Sequence, residues 1–303
     1  MSEQFPTPAR RRGRSGAALL VLLALAGYLV VQYVSGGAGT PDCRVVSAGG
    51  GGTRYEFTPE QAVNAATITA VGVNRGLPER AVTIALATAL QESALRNIRH
   101  GDRDSLGLFQ QRPSQGWGTP RQIMDPAYAA GEFYEHLVKV PGYEELALTD
   151  AAQRVQRSGY PLAYAKHEPD ATLLAAALTG RAAATLTCDG RAGDGGGTGP
   201  DAVRSALVRD FGRDAMAAAG AEVGAHGATG SAGGTRTSGR TVSVPVGGRA
   251  HGWQIAHWAV ANASALRIER VSYGGREWTA GTTESEWRPA AAASDAVRIV
   301  TVH

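Results

Sequence analysis

The stretch ALQESALRNIRHGDRDSLGLFQQR, residues 89–112, joins the end of an apolar helix to a region rich in glycine and aspartate. Pro78 opens that helix, and Val82, Leu86, Ala89 and Leu90 recur at helical spacing. The spacing predicts a helix that ends near Ser93–Leu95, with residues 99–110 forming turns or a short hairpin. Glu92 therefore falls at the helix end among Ala89, Leu90 and Leu95. Apolar neighbours penalise an ionised carboxyl, which raises its pKa and suits it to donate a proton near neutral pH. An isolated glutamate at a helix end is ordinarily a solvated surface charge. A helix-end glutamate facing a glycine-rich hairpin is, in contrast, the layout of a glycosidic cleft, with the acid on one wall and sugar contacts on the other.

The residues after Glu92 carry a specific pattern. Glu92-Ser93, followed by Ser105-x-Gly107-Leu108-x-Gln110, resembles the lysozyme-like, lytic-transglycosylase family, whose signature is a catalytic Glu-Ser and then a glycine-leucine-x-glutamine run. The resemblance covers roughly residues 55–180. It is closest to lysozyme-like domains of exported actinobacterial wall proteins, which share GDRDSLGLFQQRPSQGWGTP (residues 101–120), Asp125-Pro126 and Ala152-Gln153-Arg154-Val155-Gln156. It implies a single catalytic acid, Glu92, acting on the β-1,4 bond between the two aminosugars of peptidoglycan. It implies no cofactor and no metal. In a transglycosylase the substrate's own hydroxyl attacks and leaves a 1,6-anhydro ring. In a hydrolase a second acid positions water, and Asp102 and Asp104 are the nearby carboxyls. The other reading of both is turn chemistry, in which the side chains accept bonds from backbone N–H groups. The resemblance further implies substrate contacts at Ser105, Gln110, Gln111 and Tyr160. Ser93 reads equally as a helix-end cap. Trp117 reads as a sugar platform or a loop anchor, and Tyr164 as packing.

Outward from this stretch the punctuation is helical. Thr58-Pro59-Glu60-Gln61 combines an N-cap, a proline at the first helical position and a capping-box glutamine. That helix should run to about Asn74. Thr119-Pro120 and Asp125-Pro126 start further helices, and Ala127–Val138, Asp150–Ser158 and Asp170–Thr179 complete a mostly helical domain. The expected fold class is α+β: a mainly helical lysozyme-like domain at 55–188, then a small α/β domain at 241–303. Between them, residues 189–240 read as a glycine-rich linker with a short helix at Pro200–Phe211.

Residues 1–16 form a basic leader, and 17–34, AALLVLLALAGYLVVQYV, carry no charge. Eighteen residues of helix span roughly 27 Å, close to a bilayer core. The arginines before them predict a cytoplasmic N-terminus, hence a single-pass anchor in the cytoplasmic membrane with everything after residue 34 outside. A cleaved signal peptide is the other reading, with small residues after the apolar run. Residues 35–54 act as a spacer.

The whole chain has 30 Lys+Arg against 27 Asp+Glu. Arg10, Arg11, Arg12 and Arg14 against Glu3 account for that excess, and the remainder balances. A nucleic-acid binder needs its basic surplus on the folded part, so the charge gives no argument for DNA or RNA as a partner. Cys43 and Cys188 bracket the helical domain, and outside the cytoplasm an even pair predicts a disulfide.

In the last unit Val242–Val246 reads as a strand, His251–Leu266 as a helix, and Ile268–Tyr273 and Val297–Val302 as strands. Gly252–Ala263 with Leu266, Val271, Tyr273, Arg276 and Trp278 is similar to a wall-associated domain with a hedgehog-type (M15-like) metallopeptidase fold. That family holds zinc with a His and an Asp before the helix and a His-x-His in the last strand. Here Val242–Ala250 has neither, and the last strand offers only His303. A catalytic zinc site is thus not expected. His251 and His257 stand six apart, on different helix faces, and read as structural or surface residues. Trp253 and Trp258 read as core. The functional expectation is a membrane-anchored peptidoglycan glycosidase or lytic transglycosylase working through Glu92 on glycan strands. Its rival is a non-catalytic wall-binding or scaffold protein that keeps the cleft.

Overall fold

The computed structural model describes residues 42–49, 52–159, 162–190, 199–213, 236–281, 286–290 and 295–302. The apolar run 17–34, the basic leader, Tyr160 and His303 lie outside the described residues. Among the described residues no helix is long and apolar enough to cross a membrane.

Two short strands, β1 (Cys43–Val46) and β2 (Arg54–Phe57), precede the first helix and pair antiparallel. Helix α1 (Pro59–Asn74) begins as its sequence dictates. Thr58 Oγ1 accepts from the Gln61 N–H at 3.3 Å, and Gln61 Oε1 accepts from the Thr58 N–H at 2.7 Å. Two of the four orphan donors of the helix start are thereby satisfied. Helix α2 (Glu79–Ser93) is the apolar helix of the quoted stretch. Thr119 repeats the capping box for the short α3 (Pro120–Ile123), and Asp125 caps α4 (Pro126–Leu137) by accepting from Ala127 and Tyr128. Helices α5 (Leu148–Gln156) and α6 (Glu168–Leu178) follow. Strand β3 (Leu186–Cys188) then returns to lie beside β1, giving a three-stranded sheet in the order β2-β1-β3. Cys43 faces Cys188 in that register, and the two form the disulfide expected from the sequence. The buried faces of α1, α2, α4 and α6 meet around Ile68, Leu86, Phe133, Tyr134 and Leu174, which exclude water completely.

Helix α7 has the bounds its sequence predicts, Pro200–Phe211. The last unit carries β4 (Arg236–Ser238), β5 (Thr241–Pro245), α8 (Arg249–Ala261), α9 (Ala263–Leu266), β6 (Ile268–Tyr273), β7 (Arg276–Thr279), β8 (Arg288–Pro289) and β9 (Ala296–Thr301). The strands form one sheet ordered β4-β5-β9-β6-β7-β8, and every pairing described in it is antiparallel. β5 and β6 flank β9 and each runs against it, so they are parallel to one another and α8 is their crossover. This split β-α-β arrangement, with an antiparallel sheet, makes the unit α+β in detail where the strand–helix alternation had suggested α/β. The described residues are accordingly α+β.

Helix α8 explains how the last unit is held. From Gly252 to Ala261 every residue is buried, as a helix enclosed on all sides requires. The sheet covers one side, while α1, α6 and β3 cover the other. Two indoles reach across to β3: Trp278 Nε1 donates to the Cys188 carbonyl at 3.0 Å and Trp287 Nε1 to the Leu186 carbonyl at 2.8 Å. Gly180, at φ +80°, sits just past α6, where a Cβ would lie 1.8 Å from the Ala250 carbonyl oxygen. Only glycine permits that approach. Asp210 of α7, 1% exposed, accepts from Trp258 Nε1 of α8 at 2.8 Å and from Thr67 Oγ1 of α1 at 3.3 Å. Arg209 Nε donates to its other oxygen at 2.8 Å.

His257 is the second joint. Its Nδ1 donates to the Ala177 carbonyl at 2.7 Å and its Nε2 accepts from the Thr185 N–H at 3.3 Å. The ring is fully buried and neutral, and burial pushes its pKa from 6.5 down to about 4. Protonation would set an Nε2–H against the Thr185 N–H. Because the folded value lies below the unfolded one, the unfolded chain binds the extra proton more readily. Stability from this group is full above pH 6.5 and is lost as the pH falls toward 4, at a cost of up to about 3 kcal/mol. Urea unfolding at pH 7 and pH 4.5 should show this loss, and His257→Gln should flatten the dependence across that window.

Candidate functional site

The end of α2 is built by two consecutive left-handed residues, Ala94 (φ 53°) and Leu95 (φ 57°), neither of them glycine. Such backbone costs energy and must be held by its surroundings. Helix α1 holds it, since Gln61 Nε2 donates to the Ala94 carbonyl and Asn64 Nδ2 to the Leu95 carbonyl, each at 2.8 Å. Ser93 Oγ lies 2.8 Å from the Leu108 carbonyl oxygen, tying the helix end to the turn region opposite. That region closes by a two-way bridge between Leu106 and Gln111, with Gly107 at φ +76°. The last turn of α2 and the loop 101–112 are thereby fixed relative to each other.

Between them and the ends of α4 and α5 lies a groove of about 900 Å³. Glu92 opens into it. Burial pushes the Glu92 carboxyl above the usual carboxylate range, outweighing hydrogen bonds from Tyr164 and Gln156 that favour the ionised form. Tyr164 is completely buried, and its hydroxyl donates to Glu92 Oε1 at 2.6 Å. The same burial and the adjacent Glu92 charge push the Tyr164 phenol up, so it stays a donor. The tyrosine packs, as its sequence suggested, but it also aims the carboxyl, a role the sequence reading did not give it.

The other residues singled out in the sequence separate. Asp102, Ser105, Gln110 and Gln111 share the groove lining with Glu92. Ser105 Oγ donates to the Asp102 carbonyl at 2.6 Å. Gln110, at φ 49°, donates to the Gly107 carbonyl at 3.2 Å. Gln111 is 2% exposed, and its Nε2 donates to the Ala129 carbonyl at 3.0 Å. Its buried Oε1 has no partner among the described residues. An orphaned buried acceptor is costly and is satisfied when a ligand brings an N–H or O–H.

Asp104 is turned away from this work. It accepts from Arg112 Nε and from the Ser114 N–H, both at 2.8 Å, and these bonds hold its carboxyl well below the usual range. This is the turn chemistry that a Gly-Asp-x-Asp hairpin suggests. Asp102 stands at the rim with its side chain 91% exposed. Tyr160 lies outside the described residues. Trp117 is partly buried against the core, as a loop anchor would be; its ring lies 4.2 Å from His136, tilted by 37°, and the pair lines the groove.

Residues 202–298 match the family model described as VldE, C-terminal domain. No curated protein matches the chain. The match begins inside α7 and runs to β9, joining that helix to the sheet unit, and it does not include the groove. The site therefore has to be argued from its own chemistry.

Proposed function

We propose that the chain cleaves the glycan strands of peptidoglycan, with Glu92 as the single acid and base of a lysozyme-like, lytic-transglycosylase site. The observation that carries this reading is one desolvated carboxyl, aimed by a buried tyrosine, in a groove that also presents the hydrogen-bonding side chains Ser105, Gln110 and Gln111 and the Trp117–His136 pair. Glu92, whose raised pKa favours the protonated form, donates its proton to the glycosidic oxygen as the bond to the anomeric carbon breaks. The carboxylate so formed then takes the proton of the hydroxyl that attacks that carbon. If the attacking hydroxyl belongs to the sugar itself, the product is a 1,6-anhydro ring and no second carboxyl is used. Asp104, sealed by Arg112 and Ser114, is unsuited to activate water, which favours the anhydro route. Residues 17–34 hold the working part at the membrane, on the outer side.

The pH profile tests the assignment. The acid works protonated, so the rate should fall as pH rises through the elevated Glu92 pKa. Tyr164→Phe removes a donor that favours the ionised form. The pKa should then rise further and the basic limb should move to higher pH, with slower turnover, as followed on soluble glycan fragments. A limb that stays in place or moves down would contradict the role given to Glu92. The rival reading, a wall-binding protein without activity, predicts glycan binding with no pH-dependent cleavage.

A further inference from the structure

The groove holds more positive charge than its glycan requires. Lys139, one residue beyond Val138 at the end of α4, and Arg154 and Arg157, at the end of α5, all line it with Glu92. All three are exposed, and none has a carboxylate within ion-pair distance among the described residues. Arg103 and Arg112 also line the groove, but Asp102 and Asp104 accompany them. Cations in the last turn of a helix are partly explained by the helix dipole. That explanation covers each one singly and leaves open why two helices deliver theirs to one wall. Like charges sharing a wall repel, and the His136 beside them feels both signs: burial first, then Lys139 and Arg157, push its pKa down, while Glu132 and Glu135 pull it up by less. The sugar rings themselves are neutral and offer these cations hydroxyls and amides alone.

Resting on the reading given under Proposed function, we infer that Lys139, Arg154 and Arg157 form a subsite for carboxylates of the peptide stems carried by wall glycan, so that stem-bearing strands are the preferred substrate. Guanidinium groups pair with carboxylates in bidentate fashion, which suits a free terminal or side-chain carboxyl. Placed beside the glycan groove, the wall selects strands whose peptides have not been removed. Being exposed, the pairs are sensitive to salt.

The test measures kcat/KM of the full chain on stem-bearing strands and on control strands whose carboxyls are all blocked as methyl amides, because an amidase would leave a free carboxylate wherever it removed a stem. Stem-bearing strands should be cut about tenfold faster, the effect of roughly one charge-assisted pair, and added salt should narrow the ratio. Arg154→Gln/Arg157→Gln should bring the ratio close to one, while Arg154→Lys/Arg157→Lys should retain part of it. Equal rates on both strands for the unaltered chain, or a ratio that the double glutamine variant leaves unchanged, would overturn the subsite. A binding arm separates this from the function itself, using fluorescence-labelled muropeptide with its stem carboxyls free and with them blocked as methyl amides. Carboxyl-dependent affinity lost in the double glutamine variant supports the subsite even if no cleavage occurs. Equal affinity for both probes refutes it. Competition by polyglutamate supports carboxylate recognition. Competition by a glycerol-phosphate polymer alone would assign the wall to phosphate and overturn the peptide-stem reading.

Discussion

Glu92→Gln should lower glycan cleavage by at least about a thousandfold while leaving thermal stability unchanged or slightly improved. The amide keeps the shape of the side chain and can still meet the Tyr164 hydroxyl, but it has no proton of useful acidity to give. General acid catalysis contributes on the order of 10²–10⁴ in rate. In the proposed mechanism the same group also serves as the base, so both halves of the reaction should suffer. Stability should not fall, because a half-buried carboxyl, destabilised in its charged form by desolvation, is being replaced by a neutral group. Glycan affinity should survive, since the groove contacts at Ser105, Gln110, Gln111 and Trp117 are untouched. Retained binding with lost turnover separates a chemical role from a structural one. Thermal melts, fragment binding and rates on one preparation make that comparison.

The second large effect concerns the joint between α1, α7 and α8. Asp210→Ala should destabilise the folded chain by about 3 kcal/mol and lower Tm by roughly 6–12 °C. The loss is larger than that of a typical hydrogen bond for a specific reason. Truncation strands the buried Trp258 Nε1–H and removes the carboxylate that Arg209 faces, while Thr67 loses its acceptor as well. A buried donor left without a partner costs its full desolvation penalty. Asp210→Asn keeps one carbonyl acceptor and should lose less. Calorimetry of both variants checks the order, and equal melting temperatures for Asp210→Ala and the unaltered chain would remove the joint from the account.

How far the sequence foretold this arrangement depends on the range of each interaction. Helix starts were legible because caps are local: Thr58-Pro59-Glu60-Gln61 and Asp125-Pro126 announce themselves within four residues, and α7 was bounded correctly by Pro200 and Phe211. Strands β1, β2 and β3 were not legible. They are three or four residues long, too short for alternation to register, and the β1–β3 pairing joins Cys43 to Cys188, 145 positions apart. The two cysteines disclosed the covalent link but not the sheet that carries it. The elevated Glu92 pKa could be read from Ala89, Leu90 and Leu95, which lie within one turn of it. Tyr164, its strongest partner, is 72 residues away, and nothing at Tyr164 marks it apart from an ordinary core tyrosine. Helix α8 carries a signal of its own in its composition. Residues 252–263 contain no charged side chain, which for a helix means enclosure on all sides rather than one face on a small sheet. With only about 65 residues the last unit is also small enough to lean on its neighbour for stability, and the helices before it give that support.

The central claim is that Glu92 drives cleavage of wall glycan, and the masses of what is released test it most directly. Purified peptidoglycan is incubated with the full chain, and the soluble products are weighed. The account predicts muropeptides carrying an anhydro sugar end, lighter by one water than hydrolysis products, and their disappearance in the Glu92→Gln digest. No soluble muropeptide from the unaltered chain across the buffered pH range, or equal release by Glu92→Gln, would contradict it.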